Sequence, residues 1–257
     1  MRGANMGFDI LRTGLLCLTV ACFHISLWAA EVQVAVAANF YAPMKRLALS
    51  FERDTGHKLV MAVGSTGQLD AQIRNGAPFA VLLSADADTP RKLEQEGWAV
   101  PGSRFTYATG RLVLWSRLPA QIVAAGDTPP PIPAGRLALA QPKLAPYGAA
   151  AQEVLERLAW WPGVRPRLVY AANVAQAHQF VATGNASAGF IALSQVMEQG
   201  QIKEGSAWLV PAAMHRPLRQ EAVLLKAGEG HAAALALLKY LQSEPARELM
   251  RAHGYDV

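Results

Sequence analysis

The sequence predicts an α/β fold of two lobes, and three observations carry that prediction. From Glu31 onward short apolar runs alternate with stretches of helical period, the mark of strands and helices in turn. The alternation breaks after Gly97, where two extended runs, Arg104 to Ala108 and Arg111 to Trp115, follow each other with no helix between them. It then resumes as a second series of the same kind. Two similar halves joined by extended segments imply a hinge. The halves share a pattern rather than a repeated sequence.

In order, Val32 to Ala37 reads as the first strand, and Met44, Leu47, Ala48 and Phe51 lie at helical spacing in a helix that stops at Gly56. Lys58 to Val63 is aliphatic enough for a second strand, followed by a helix over Gln68 to Arg74 and a turn at Asn75-Gly-Ala-Pro78. Phe79 to Leu83, apolar throughout, fits a parallel strand covered on both faces. Asp88-Thr-Pro90 opens a third helix, with Pro early and an acceptor before it. The two extended runs, joined at Thr109-Gly110, lead into the Pro-rich loop Thr128 to Pro133 and are expected to carry the chain between lobes. The second series places strands at Leu137 to Ala140, Arg167 to Tyr170, Ala188 to Ala192 and Trp208 to Pro211, and helices from about Gly148 and Val174. Glu221 to Lys226 is extended again, and His231 to Ala252 is helical with a break at Pro245. The expected division is lobe I over residues 31–112 and 218–257, and lobe II over 113–217.

Residues 1–30 differ from all that follows. Arg2 and Arg12 precede Thr13 to Ala30, which carries no charged side chain, and Ala29 and Ala30 offer small residues for a peptidase. This reads as an export signal and predicts a periplasmic protein, a membrane-tethered form being the alternative because the uncharged stretch is close to the length that spans a bilayer. Both cysteines, Cys17 and Cys22, fall inside it, so a mature chain from Glu31 has no disulfide and relies on its core. The formal charge is +5. Its basic residues are scattered, with no run of three and no aromatic-interleaved stripe, which argues against a nucleic-acid partner. No zinc spacing occurs among the six histidines.

The candidate site lies in turns that join a strand to a helix. A helix start leaves backbone N–H groups without acceptors, aimed at whatever sits beyond the strand end. Asn39 occupies such a turn, as a helix cap, an anion donor or both. Ser65 and Thr66, between Gly64 and Gly67, have the same two readings. A nucleophile at either position lacks the G-x-S-x-G elbow and a suitably spaced His. Asp86 and Asp88 are expected to divide loop orientation and capping of the third helix rather than bind a cation. Tyr147, beginning a helix after Pro142 and Pro146, can reach the cleft with its hydroxyl, and Asn173-Val174 repeats the strand-turn-helix arrangement. None of these candidate residues is a Lys or Arg. Helix starts and hydroxyls alone can hold a buried dianion.

In order and spacing, Ala37-Ala-Asn39-Phe, Gly64-Ser-Thr-Gly67, Leu83-Ser-Ala-Asp86, Gly102 to Gly110, Ala145-Pro-Tyr-Gly148 and Ala172-Asn-Val174 resemble the periplasmic molybdate-binding components of ABC transporters. The resemblance runs nearly the whole mature length. It implies a type II periplasmic binding protein fold and a non-enzymatic monomer without cofactors. It further implies a molybdate or tungstate ion in the interlobe cleft and delivery to a membrane permease with its ATPase. By the same resemblance Asn39 with the N–H of Ala38, Ser65 or Thr66, Tyr147 and the N–H of Val174 hold the oxyanion, and no side chain ligates the metal directly. One common form of the family has Ser where Asn39 stands and a Tyr after the strand ending near Ala192; the branch with Asn and an Ala-Pro-Tyr-Gly turn is closer. Sulfate or phosphate on the same fold is the first alternative, and a secreted hydrolase a remote one.

Overall fold

The computed structural model describes residues 30–123 and 125–257. The export segment expected over residues 1–30 lies outside these, Ala30 excepted. Strand β1 (Glu31–Ala37) passes through a 3-10 turn, Ala38–Phe40, into α1 (Tyr41–Thr55). Helix α1 buries Met44, Leu47, Ala48 and Phe51, as their spacing predicts, and ends where Gly56 takes a left-handed φ of 72°. Then come β2 (Lys58–Gly64), α2 (Thr66–Arg74), β3 (Val81–Leu83), α3 (Asp88–Gln95) and β4 (Phe105–Gly110). The chain crosses at Arg111 into β5 (Leu112–Ser116) and continues with β6 (Leu137–Ala140), α4 (Pro146–Arg157), the short α5 (Trp161–Val164), β7 (Leu168–Ala171), α6 (Val174–Ala182) and β8 (Ala188–Ala192). A small hairpin, β9 (Met197–Glu198) and β10 (Gln201–Ile202), precedes β11 (Ser206–Leu209). After the second crossing β12 (Leu218–Leu224), α7 (Ala232–Leu241) and α8 (Glu244–Ala252) complete the chain.

Two five-stranded sheets result, ordered β2-β1-β3-β12-β4 and β7-β6-β8-β5-β11. In each, the first three strands are mutually parallel. The fourth runs antiparallel to its neighbours, β12 in one sheet and β5 in the other. Those reversed strands are the ones that arrive directly from the opposite lobe, which is why each sheet is mostly parallel and not wholly so.

Sheet faces follow the alternation of the strands. Val32, Val34 and Val36 pack with Phe40, Met44, Leu237 and Met250, whereas Ala35 faces the opposite cluster of Leu69, Ile73 and Leu93. In the second lobe Leu139, Val154, Phe190 and Trp208 share one core. A fully buried Leu or Phe of this kind contributes about 1.5–3 kcal/mol.

Three local expectations are corrected. The Pro-rich loop does not cross between lobes; it connects β5 to β6, and the crossing is at Arg111. The C-terminal helix breaks at Gln242 and Ser243, where Ser243 caps α8, while Pro245 sits in the first turn and lacks only an N–H that a helix start does not use. Asp86 does the work expected of two carboxylates: it accepts the Thr89 N–H at 2.8 Å and the Ser84 and Thr89 hydroxyls, while Asp88 pairs with Arg91 on the surface.

Candidate oxyanion site

In-register neighbours bring the candidate turns together. Ala37 pairs with Gly64 at the carboxyl ends of β1 and β2, and Ala140 with Ala171 at those of β6 and β7. Open α/β sheets present ligand sites beyond such ends. Here the two sheets face each other across one small cavity, lined by Ala38, Asn39, Ser65, Thr66, Tyr147 and Val174, with Ala85, Ala145, Pro146 and Asn173 between them. All six residues expected from the sequence are therefore collected in one place, from both lobes. No lining side chain is charged. The room left for solvent centres is about 10 Å3, close to what one water needs. So small a space favours a compact ligand whose atoms meet the walls over a sugar or an amino acid.

Thr66, Tyr147 and Val174 lie in the first turns of α2, α4 and α6, where helical geometry provides no acceptor for the backbone N–H. Three partial positive charges thus converge. Ser65 is a cap: its Oγ accepts the Gln68 N–H, and its own N–H and hydroxyl go to the Gln68 Oε1 at 3.0 and 2.9 Å. Thr66 differs. Its Oγ1 accepts the Ala85 N–H at 3.1 Å, which holds the neighbouring turn and leaves the hydroxyl proton to point elsewhere. Asn173 caps α6 by accepting the Gln176 N–H at 3.0 Å.

Asn39 is not a helix cap. It sits in the 3-10 turn, and its Nδ2 donates to Gln220 Oε1 at 2.8 Å and to the Tyr255 hydroxyl at 2.9 Å. Both amide protons therefore face away from the cavity. What the turn can offer inward is backbone N–H. Tyr147 is fully enclosed beside the Gln220 Nε2, at 3.4 Å, and burial raises its hydroxyl well above the ordinary value of 10.0, with Tyr255 and Tyr107 adding to the effect. It stays a protonated donor.

Gln220, Tyr255, Tyr107 and Ser194 support the site from behind and were not anticipated. Gln220 had a weak signal: it alternates with Leu218 and Ala222 on one face of its strand, LRQEAVL, and the structure buries it fully. The others are ordinary residues whose roles depend on contacts from 61 to 216 positions away. Two glycines permit the packing. A Cβ at Gly110 would lie 2.0 Å from the Tyr147 hydroxyl, and one at Gly148 would lie 2.1 Å from the Ala140 carbonyl oxygen.

Comparison with known proteins agrees with this architecture. The family model for bacterial extracellular solute-binding proteins matches residues 32–256. The molybdate-binding protein ModA of Azotobacter vinelandii is 50% identical over 252 residues, covering 98% of this chain and 100% of its own. ModA of Rhodobacter capsulatus is 48% identical over 227 residues, 88% of each chain. The solved Azotobacter vinelandii periplasmic molybdate-binding protein superposes with a TM-score of 0.82 at 38% identity, covering 88% of this chain and 99% of that one. The chain belongs to the bacterial extracellular solute-binding proteins, a family of binding proteins rather than enzymes, on the side of it that includes ModA.

Proposed function

We propose that this protein binds molybdate, and tungstate with it, between its lobes and delivers the ion to the permease of an ABC transporter with its ATPase. The observation that carries the reading is the uncharged cavity where three helix starts and two hydroxyls converge. Half a sequence identity to a molybdate-binding protein over the full length supports the choice of ion. The oxyanion is held by N–H groups of Ala38 and Asn39, by Thr66 with Ser65 as its helix cap, by the Tyr147 hydroxyl and by the Val174 N–H. Export to the periplasm through residues 1–30 belongs to the same reading, as does action as a monomer. Lobe I comprises 31–112 and 218–257 and lobe II 113–217, a division supported by sheet membership, with Leu112 on the boundary as the first residue of β5.

Sulfate is the second reading, because a cage of neutral donors accepts any fully ionised tetrahedral anion of fitting size. Phosphate is disfavoured: a protonated phosphate needs an acceptor, and no carboxylate lines the cavity. Titration calorimetry of residues 31–257 with molybdate, tungstate, sulfate and phosphate tests the reading. Tight binding of the first two is expected. Heat with sulfate or phosphate alone would overturn it.

A further inference from the structure

Behind the cavity the hydrogen bonds form one continuous chain with a defined direction. It begins at the Asn39 backbone carbonyl, which can only accept. The Ser194 hydroxyl donates to it at 2.9 Å and the Tyr255 hydroxyl at 3.0 Å. With its proton so used, Tyr255 receives the Asn39 Nδ2 at 2.9 Å. The other Nδ2 proton goes to Gln220 Oε1 at 2.8 Å, while the Tyr107 hydroxyl lies between that oxygen, at 3.3 Å, and the Ser84 carbonyl oxygen, at 3.2 Å. This fixes which end of the Gln220 amide faces which way. Its Nε2, a donor only, is left toward the Tyr147 hydroxyl at 3.4 Å.

We propose that Gln220 is a positioning residue that sets the polarity of the site: by donating to Tyr147 it turns the tyrosine proton toward the anion. The inference rests on the oxyanion reading above. Thr66 is constrained less, since the Ala85 N–H donates to its Oγ1 and leaves its proton free. The Tyr147 hydroxyl is thereby committed as a donor before a ligand arrives, whereas Thr66 keeps a second lone pair. A phenolic hydroxyl free to turn between its two in-plane positions could accept a proton from a hydrogen phosphate; with the Gln220 N–H on one of them, the Tyr147 proton takes the other and faces the anion. Selection against protonated oxyanions thus originates one residue away from the ligand, in a side chain that never touches it.

Four forms of the mature chain test this: wild type, Gln220→Leu, Tyr147→Phe and the double variant, each titrated with molybdate, sulfate and phosphate. Gln220→Leu is expected to weaken molybdate about tenfold, and to narrow the preference for sulfate over phosphate. In the Tyr147→Phe background the same substitution should change molybdate affinity by less than about twofold, because no hydroxyl remains to orient. Gln220→Glu provides a second readout. Its ionised carboxylate accepts the Tyr147 proton, so molybdate affinity should fall as pH rises through the range where that carboxyl ionises, whereas wild type stays flat. An equal loss from Gln220→Leu with and without the Tyr147 hydroxyl, or a flat pH profile for Gln220→Glu, overturns the assignment and leaves the oxyanion reading standing. Wild type that binds none of the three anions removes both.

Discussion

Tyr147 makes its contribution as a neutral hydroxyl in a site with no titratable neighbour in its lining. Tyr147→Phe should therefore weaken molybdate binding by about 1–3 kcal/mol. Wild-type affinity should stay constant from about pH 6 to about pH 9, since burial holds Tyr147 above its ordinary value and nothing else in the lining ionises there. Calorimetry across that range checks both. Ser65 and Thr66 separate by what their protons do. Ser65→Ala should cost about 0.5–2 kcal/mol of stability as a lost cap, read by urea unfolding, and Thr66→Val should lower affinity as well as stability, because it also removes the acceptor of the buried Ala85 N–H. Gly110→Ala should weaken binding strongly, because its methyl would occupy the place of the Tyr147 hydroxyl. That Ala38, Asn39, Ser65, Thr66, Tyr147 and Val174 belong together was legible in the sequence, and they line one cavity; Asn39 marks the limit of that legibility. Its position at a strand end was plain, but the direction of its amide depends on Tyr255, 216 positions away.

The elements were legible because each carries its own period and its own stop, as α1 does with Gly56. What the sequence concealed was how closely they approach. Helix α4 reaches β6 through Gly148, where only a hydrogen fits against the Ala140 carbonyl. Gly148→Ala should displace the start of α4, and with it Tyr147, lowering both the unfolding free energy and the affinity. A pH effect belongs at this scale too. His178 on α6 stacks on Trp115 of β5 with ring centroids 5.0 Å apart, and burial lowers its pKa below the ordinary 6.5. His253 shifts the same way, burial again being the largest cause. Below pH 6.5 the unfolded chain binds protons that the folded chain resists, so stability is complete above that pH and declines as the pH falls toward the folded values. Thermal unfolding from pH 8 to pH 5 should show the decline, and His178→Gln should reduce its slope.

At the scale of the molecule the lobes also touch around the cavity, where Ala37, Ala38, Ala85 and Leu218 join the core of the second lobe, the Tyr255 hydroxyl lies 3.1 Å from that of Ser194 and the Gly200 N–H donates to the Ala252 carbonyl at 3.3 Å. The Gly67 N–H donates to the Leu144 carbonyl at 2.9 Å, Ser194 donates to Asn39, and Arg46 pairs with Glu198. Arg46 is half exposed, so that pair contributes at most about 1 kcal/mol. On the proposed reading the anion bridges the turns and adds to these contacts on closure, with the backbone near Arg111 and the Val210 to Pro217 segment as the expected pivots. Small-angle scattering should show a smaller radius of gyration with molybdate than without it. Ser194→Ala should speed release in stopped-flow measurements while leaving association nearly unchanged.

The position of β12 also governs the order in which the chain can complete itself. Lobe II is built from one continuous stretch and needs nothing beyond β11. The sheet of lobe I has an empty slot between β3 and β4 until β12, encoded more than a hundred residues after β4, arrives to fill it. Until then β4 has no neighbour and β3 keeps an open edge. The half of the protein that is synthesised first is thus the half that is finished last.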